Sequence, residues 1–325
     1  MVAAVGAMVS FEEGSQLLQE LAGVSINAKQ VERTAETLGV EIAADENQDL
    51  APTDQQPLPP TLYLGIDGTG VPMRAEELKG RCGKQPDGSA KTREVKLCTV
   101  WSAEARDAQD HPVRDEGSVS YTAAIESAAT LDTDGVPSAF TQRVLREASR
   151  RRFTQAQRTV ILGDGAAWIW KLAQELFPCS IQIVDRFHVK QTLSSVAKAV
   201  YGLDSPQAQH WARRRHAELH TGRFPDLLRA VRRHADTCDQ ARKCFQYLHR
   251  NRHRLRYPQF ESQNLCTSTG VVEAGCKVVV ATRLKRAGMH WTVRGSNAII
   301  ALRCSRLSGR FQDFWERRAD VRKAA

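Results

Sequence analysis

The chain has 325 residues, of which 42% are hydrophobic and 26% are charged, so it can bury a full core and is not a disordered tail. Its formal net charge is +9, but residues 1–60 carry two basic and ten acidic residues, which leaves 44 basic and 27 acidic residues, a net +17, in residues 61–325. That excess predicts a polyanion as partner.

The cysteines and the apolar stretches indicate the compartment. Eight cysteines are scattered without a CxxC pair, which predicts free thiols in a reducing cytosol. No stretch approaches the roughly 20 apolar residues needed to span a bilayer. The apolar start of the chain is too short for a signal peptide and lacks a basic beginning. We therefore expect a soluble, cytoplasmic protein.

Residues 1–42 are predicted to form a helical hairpin, with the second helix capped by Ser25 or Asn27. One interpretation is a helix-turn-helix remnant that reads DNA. The candidate recognition helix offers only two basic residues, Lys29 and Arg33, among several acids. A plain αα-hairpin is therefore the favoured interpretation.

Residues 43–60 are acidic and then proline-rich, which predicts a linker. In residues 61–203 short strands come first, and strand and helix then alternate, which is the order of an RNase-H-like α/β core. The predicted strands are Thr61–Asp67, Val95–Trp101, Val119–Tyr121, Thr159–Gly163 and Ile181–Val184, and the predicted helices are Ser138–Arg152, Ala166–Phe177 and Val189–Tyr201.

Residues 204–262 interrupt this alternation and are predicted to be a basic, wholly helical insertion. Acids are few in this insertion, so DNA phosphates would relieve the repulsion between its arginines. The alternative is that the arginines only form a solvent-exposed helix surface. Trp211 either stacks on an unpaired base or packs in the core. Residues 263–325 are expected to complete the core with a glutamate-bearing helix and C-terminal helices. The candidate DNA contacts are Arg213, Arg214, Arg215, Arg232 and Arg233.

Three acids have a placement that suits metal chemistry. Asp67 and Asp164 each close an apolar strand, and Glu273 lies in a predicted helix. Strand ends direct side chains into the crevice at a sheet edge, so the three carboxylates can share one site, and oxygen ligands favour Mg²⁺ or Mn²⁺ over zinc. Alternatively, each acid only ends a strand or caps a helix.

Asp185 and His188 follow the next predicted strand in the string Asp-Arg-Phe-His. Two roles are open at this stage. Asp185 either orients His188 beside the metal site, or both residues cap the following helix.

Four strings carry a resemblance to a known family: Gly65–Pro72 (GIDGTGVP), Leu162–Trp170 (LGDGAAWIW), Val184–Val189 (VDRFHV) and Cys276–Gly295 (CKVVVATRLKRAGMHWTVRG). They resemble bacterial insertion-sequence transposases of the DDE type, most closely the ISKra-type family. The resemblance implies an RNase-H-like core, with Asp67, Asp164 and Glu273 as catalytic residues that bind Mg²⁺ or Mn²⁺. It also implies hydrolysis at the ends of a mobile element, followed by attack of the freed 3′-hydroxyl on target DNA.

The same resemblance implies the binding partners, and two alternative functions remain beside the transposase. The partners are double-stranded DNA, both terminal repeats and target, and further copies of the chain in a homo-oligomer on the bacterial nucleoid. Relatives in the family begin further upstream. The alternative interpretation is therefore a truncated or inactive remnant that only binds DNA. A third interpretation is a structure-specific nuclease that cuts without joining.

Overall fold

A five-stranded mixed sheet lies at the centre of the protein. The computed structural model describes residues 1–48, 57–83, 85–127, 137–268 and 270–324. The strand order in the sheet is β5-β2-β1-β6-β7, with β1–β6 and β6–β7 parallel and β1–β2 and β2–β5 antiparallel. The strands are β1 (Thr61–Pro72), β2 (Thr92–Ser102), β3 (Ala105–Arg106), β4 (Pro112–Val113), β5 (Ser120–Ala124), β6 (Arg158–Gly163) and β7 (Ile181–Val184), with β3 and β4 forming a separate small pair.

The first strand is longer than predicted. The sequence predicted that β1 ends at Asp67, but β1 continues to Pro72 because β2 pairs with it along its whole length, as far as Pro72 opposite Thr92. Its parallel neighbour β6 ends at Gly163, opposite Ile66. Asp67 therefore lies within a strand but directly beyond the end of the parallel part of the sheet.

Helices cover the sheet and form the rest of the chain. Much of the sheet is buried because helices lie against it; for example, α4 and α13 both pack against β5, which is buried at every residue. The helices are α1 (Val2–Met8), α2 (Phe11–Ala22), α3 (Ala28–Glu46), α4 (Ala139–Arg150), α5 (Ala167–Leu176), α6 (Arg186–Tyr201), α7 (Pro206–His220), α8 (Phe224–Arg232), α9 (Asp239–Asn251), α10 (Tyr257–Ser262), α11 (Gly270–Gly275), α12 (Thr282–Leu284), α13 (Val293–Leu307) and α14 (Phe311–Ala324), and Cys276–Ala281 form a π-helical segment between α11 and α12.

The N-terminal region contains three helices rather than the predicted two, since α1 precedes the hairpin of α2 and α3. Asn27 caps α3 by accepting from the Gln30 amide at 2.9 Å, as one of the two predicted caps. Helix α3 packs so closely on α13 that a Cβ on Gly39 would lie 2.2 Å from the carbonyl oxygen of Ala298. These helices therefore belong to the main core.

The predicted linker begins later than expected, because α3 continues to Glu46. Glu46 is fixed by ion pairs to Arg150 and Arg310, from α4 and the start of α14. Part of the predicted linker, residues 49–56, lies outside the described residues.

The predicted insertion is helical, as expected, and consists of α7 to α10 with a short 3₁₀ turn at Arg252–Arg254. All eight cysteines are free thiols. Within the described ranges, no helix combines the length and the apolarity that crossing a bilayer requires.

Candidate active site

Asp67 is half-buried on β1 and has two polar neighbours. Its Oδ1 accepts from the Gly68 amide at 2.7 Å, and its Oδ2 lies 3.4 Å from Sγ of Cys276, whose thiol donates to it. Burial raises the pKa of Asp67, and repulsion by Asp164 raises this pKa further. The carboxylate therefore lies in a place where a positive charge would be favourable.

Asp164 follows β6 directly and begins the turn into α5. Its Oδ1 accepts from the Ala166 amide at 2.8 Å, and its carbonyl accepts from the Tyr247 hydroxyl at 2.9 Å. Gly165 has a φ of +94° and is packed against the Tyr247 ring. Because Tyr247 belongs to α9, the helical insertion directly fixes the backbone at Asp164.

Glu273 lies on α11, which rests on the sheet through two close approaches. A Cβ on Gly65 of β1 would lie 2.1 Å from Cγ2 of Val272, and a Cβ on Gly275 would lie 2.8 Å from Cδ2 of Leu97. Only glycine fits at such distances. The π-helical segment that follows adds one residue to the helical turn, a feature that is frequent at functional sites.

Asp185 and His188 form a tight pair at the start of α6. Asp185 is fully buried, and its Oδ2 lies 2.7 Å from Nδ1 of His188. Its Oδ1 accepts from the Phe187 amide at 3.0 Å. Asp185 thus orients the imidazole and caps the helix. His188 does not cap the helix, and its role beside a metal stays a prediction. Because an ionised carboxylate only accepts, Nδ1 carries the proton.

Glu273 lies next to this pair. Its Oε1 is 3.7 Å from Nδ1 of His188, and its side chain is 42% exposed. Burial raises the pKa of Glu273, and repulsion by Asp185 raises it further. The hydrogen bond to Asp185 raises the pKa of His188, and attraction by Asp164 and Asp67 raises it further. His188 therefore interacts electrostatically with each of the four carboxylates.

The group of candidate metal ligands found in the described part of the chain differs from the predicted one. Ligand atoms of Asp185, His188 and Glu273 all lie within 4.8 Å of one another, whereas Asp67 and Asp164 lie outside that group. Carboxylate oxygens suit Mg²⁺ and Mn²⁺, and an imidazole is accepted more readily by transition metals. The donor set, with two carboxylates beside one imidazole, therefore fits a divalent cation.

The five predicted DNA-contacting arginines do not share one environment. Arg213, Arg214, Arg232 and Arg233 are exposed. Arg215 is only 5% exposed; its Nη2 lies 2.6 Å from Oε1 of the buried Glu218, and its guanidinium lies 5.2 Å from the centre of the Trp211 ring. The prediction for Arg215 as a phosphate contact is therefore wrong, because its charge is neutralised inside the insertion.

Trp211 lies in a small aromatic cluster. Its ring is 6.4 Å from Tyr201 and 6.1 Å from His234, centroid to centroid, and it packs on a satellite core of alanines. This matches the core interpretation rather than the base-stacking interpretation.

Three contributors to the site were missed in the sequence. Tyr247 and Cys276 touch the two aspartates from distant parts of the chain, and Gly65 provides space for α11. The only local signal was the glycine immediately before Ile66-Asp67, in a strand that is otherwise apolar, because a glycine inside a strand often marks a close approach.

Comparisons with known proteins place the chain in a family. The comparison with curated proteins gave no match. Among solved structures, a Drosophila P element transposase strand transfer complex is similar with a TM-score of 0.30 and 11% identity, over 97% of this chain and 79% of that chain; a likeness of this size supports no inference. Residues 149–318, more than half of the chain, match the uncharacterised protein family UPF0236, and they include Asp164, Asp185, His188 and Glu273. The chain belongs to the UPF0236 family.

Proposed function

We propose that the protein is a transposase that cleaves and joins DNA strands at the ends of a mobile element, using a divalent metal. One observation carries the proposal: ligand atoms of Asp185, His188 and Glu273 lie within 4.8 Å of one another, at the end of the parallel strands where Asp67 and Asp164 also lie. His188 interacts electrostatically with all four carboxylates. Clustered carboxylates repel one another without a counter-charge, so packing of the core does not explain why they lie together.

The fold and the family are consistent with the proposal. The order β5-β2-β1-β6-β7, with β1, β6 and β7 parallel, suits the RNase-H-like core that the element order predicted. UPF0236 is associated with transposase-like proteins. Fold alone does not determine chemistry, so the proposed activity rests on the acidic cluster.

The roles of the residues follow from their positions. When bound, Mg²⁺ or Mn²⁺ would supply charge neutralisation at the scissile phosphate and would activate the attacking oxygen. Glu273, whose ligand atom lies close to those of Asp185 and His188, would hold the cation together with Asp67 of β1 and Asp164 at the end of β6. Asp185 and His188 would complete this site, since Asp185 holds the His188 imidazole at 3.7 Å from Glu273. The 42% exposure of the Glu273 side chain leaves the cluster open to a DNA strand.

The experiment uses the full chain with duplexes that carry the inverted repeats flanking its coding segment. With Mg²⁺ or Mn²⁺ we expect cleavage at the repeat ends and joining to a target duplex, and with a chelator we expect neither. Asp67→Asn, Asp164→Asn and Glu273→Gln should each abolish both reactions without additive effects, because each substitution disables the same unit. Full activity in the chelator would contradict the metal mechanism.

A matched control separates the site from a general removal of acids. Glu175→Gln removes an exposed carboxylate on α5, whose side chain is 41% exposed, and should leave both reactions unchanged. Cleavage without joining would favour a structure-specific nuclease. If the protein binds DNA without either reaction, and the three variants bind as the wild type does, the DNA-binding remnant is favoured. The exposed arginines of the insertion are also consistent with that alternative.

A further inference from the structure

A groove of about 570 Å³ lies beside the acidic cluster. One wall is the start of α6, including Phe187 and Lys190, and the opposite wall is the segment that leads into α11, including Leu265 and Val271. Val271 is two residues before Glu273. The groove therefore adjoins the two chain segments that carry His188 and Glu273.

Phe187 is exposed in this groove although its neighbours in the chain are fixed. Its side chain is 57% exposed, whereas Arg186 is held by Glu261 and Thr267 and His188 is held by Asp185. The fixed neighbours hold Phe187 in place on the first turn of α6. An exposed aromatic ring on a rigid element offers a stacking face at low entropic cost.

The charges around Phe187 indicate the chemistry of the occupant. Arg114 and Lys190 line the same groove, and neither forms an ion pair with an acid in the described ranges. The groove also contains two acids, of which Glu261 is neutralised by Arg186 and Asp110 is exposed. Two cations without an acidic partner among the described residues, beside an aromatic face, match a phosphate backbone with an unpaired base.

We infer that this groove binds an unpaired nucleotide of the DNA strand next to the reacting phosphate, with its base stacked on Phe187 and its phosphates near Arg114 and Lys190. The inference rests on the proposed function for the identity of the strand. It assigns to Phe187 a positioning role: it holds the strand end open and in place and does not take part in bond making.

The test measures binding in a metal-free buffer, where no cleavage is needed. The probes are a fluorescent duplex with a few unpaired bases at one end, one of them 2-aminopurine, and a fully paired duplex of the same length. We expect the wild-type protein to prefer the unpaired end and to quench 2-aminopurine. Phe187→Ala should weaken binding to the unpaired end by between about 5-fold and 150-fold, with little change for the paired duplex.

Two further variants define the role of the ring. Phe187→Trp should restore the affinity and the quenching, because the stacking face is kept. Leu21→Ala, which trims an 81% exposed side chain on α2, should behave as the wild type. For the single-stranded end, Lys190→Gln should reduce the slope of log affinity against log salt by about 0.7.

The outcomes separate this inference from the proposed function. If Phe187→Ala binds the unpaired end as tightly as the wild type, the inference is overturned whether or not the protein cleaves DNA. Suppose that Phe187→Ala loses binding and Phe187→Trp restores it, while the wild type cleaves no DNA with Mg²⁺ or Mn²⁺. The inference about the groove is then supported, and the proposed transposase activity is contradicted.

Discussion

Asp185 holds His188 by a 2.7 Å contact between Oδ2 and Nδ1, and it caps α6 through its other oxygen. Asp185→Asn keeps the cap, because Asn and Asp are equally good at that position, but removes the charge. The carboxylate raises the pKa of His188, so we expect this pKa to fall in the variant, as followed by NMR titration of the metal-free protein. Cleavage should fall by about 10- to 100-fold, as for other groups that orient metal-site residues.

Asp185→Ala is the companion variant, since it removes both the charge and the cap. Its free energy of unfolding should be lower than that of Asp185→Asn by about 0.5–2 kcal/mol, because Asp185→Asn keeps the cap. An unchanged pKa of His188 in both variants would show that the 2.7 Å contact does not hold the imidazole in solution.

Gly65→Ala should disable the site from a distance. The new Cβ would lie 2.1 Å from Val272 and must displace α11, so Glu273 should move away from the aspartates and cleavage should disappear. Overpacking of this kind costs about 1–3 kcal/mol of the free energy of unfolding, measurable by urea denaturation. Val272→Ala in the same chain should restore part of the activity.

The control for this prediction is Gly270→Ala on the same helix. Its Cβ would meet only Oγ of Ser268, at 3.8 Å, so stability and cleavage should be nearly unchanged. If Gly65→Ala proved fully active, α11 would not need its close approach to β1.

Three adjacent arginines of α7 should respond in two different ways. Arg213→Gln with Arg214→Gln should flatten the slope of log DNA affinity against log salt by up to about 0.9 for each phosphate that the protein no longer neutralises. The free energy of unfolding should fall only slightly, because Arg215 stays paired with Glu218. Arg215→Gln should instead destabilise the insertion by up to about 3 kcal/mol, because it takes away the 2.6 Å partner of the buried Glu218. Arg214 remains within 3.5 Å of Glu218 and limits the destabilisation.

Salt titrations by fluorescence anisotropy and urea unfolding of the same preparations separate the two effects. A flatter salt slope in Arg215→Gln with intact stability would mean that this arginine leaves Glu218 for DNA. An unchanged slope in the double variant would mean that Arg213 and Arg214 are only solvated.

Glu147 should make stability sensitive to acid. Burial is the largest single influence and would raise the pKa of this fully buried carboxyl. Attraction by Arg310 and Arg150, together with hydrogen-bond donation, outweighs burial, so the pKa lies below its usual range. A depressed pKa in the folded state contributes stability above the unfolded-state value, and that stability disappears as the pH falls through the folded-state value. We therefore expect the free energy of unfolding to fall in the acid range below about pH 4.5.

Glu147→Gln should be less stable than the wild type at neutral pH, and its stability should depend less on pH in the acid range. Glu175→Gln, on an exposed part of α5, should follow the wild-type curve. Parallel acid profiles for Glu147→Gln and the wild type would contradict the role of the pair with Arg310.

Several features followed from the sequence because their signals are local. The alternation of apolar residues predicted β6, α5, β7 and α6 to within a few residues, and Asn27 was recognised as a cap from its position before a helical pattern. Asp164 follows β6 as expected, since an Asp-Gly pair after an apolar run is itself the signal of a strand end.

Other features depended on partners far along the chain, and no local pattern contains them. The extension of β1 past Asp67 is set by β2, and the burial of Arg215 is set by the packing of α7 on its neighbours. The sequence by itself therefore determined the order of elements and the positions of the acids, because periodicity and turn chemistry act over a few residues. Only the tertiary structure decided that Asp185 and His188 join Glu273, because that contact depends on α11 lying against the sheet over Gly65, more than 200 residues away in the chain.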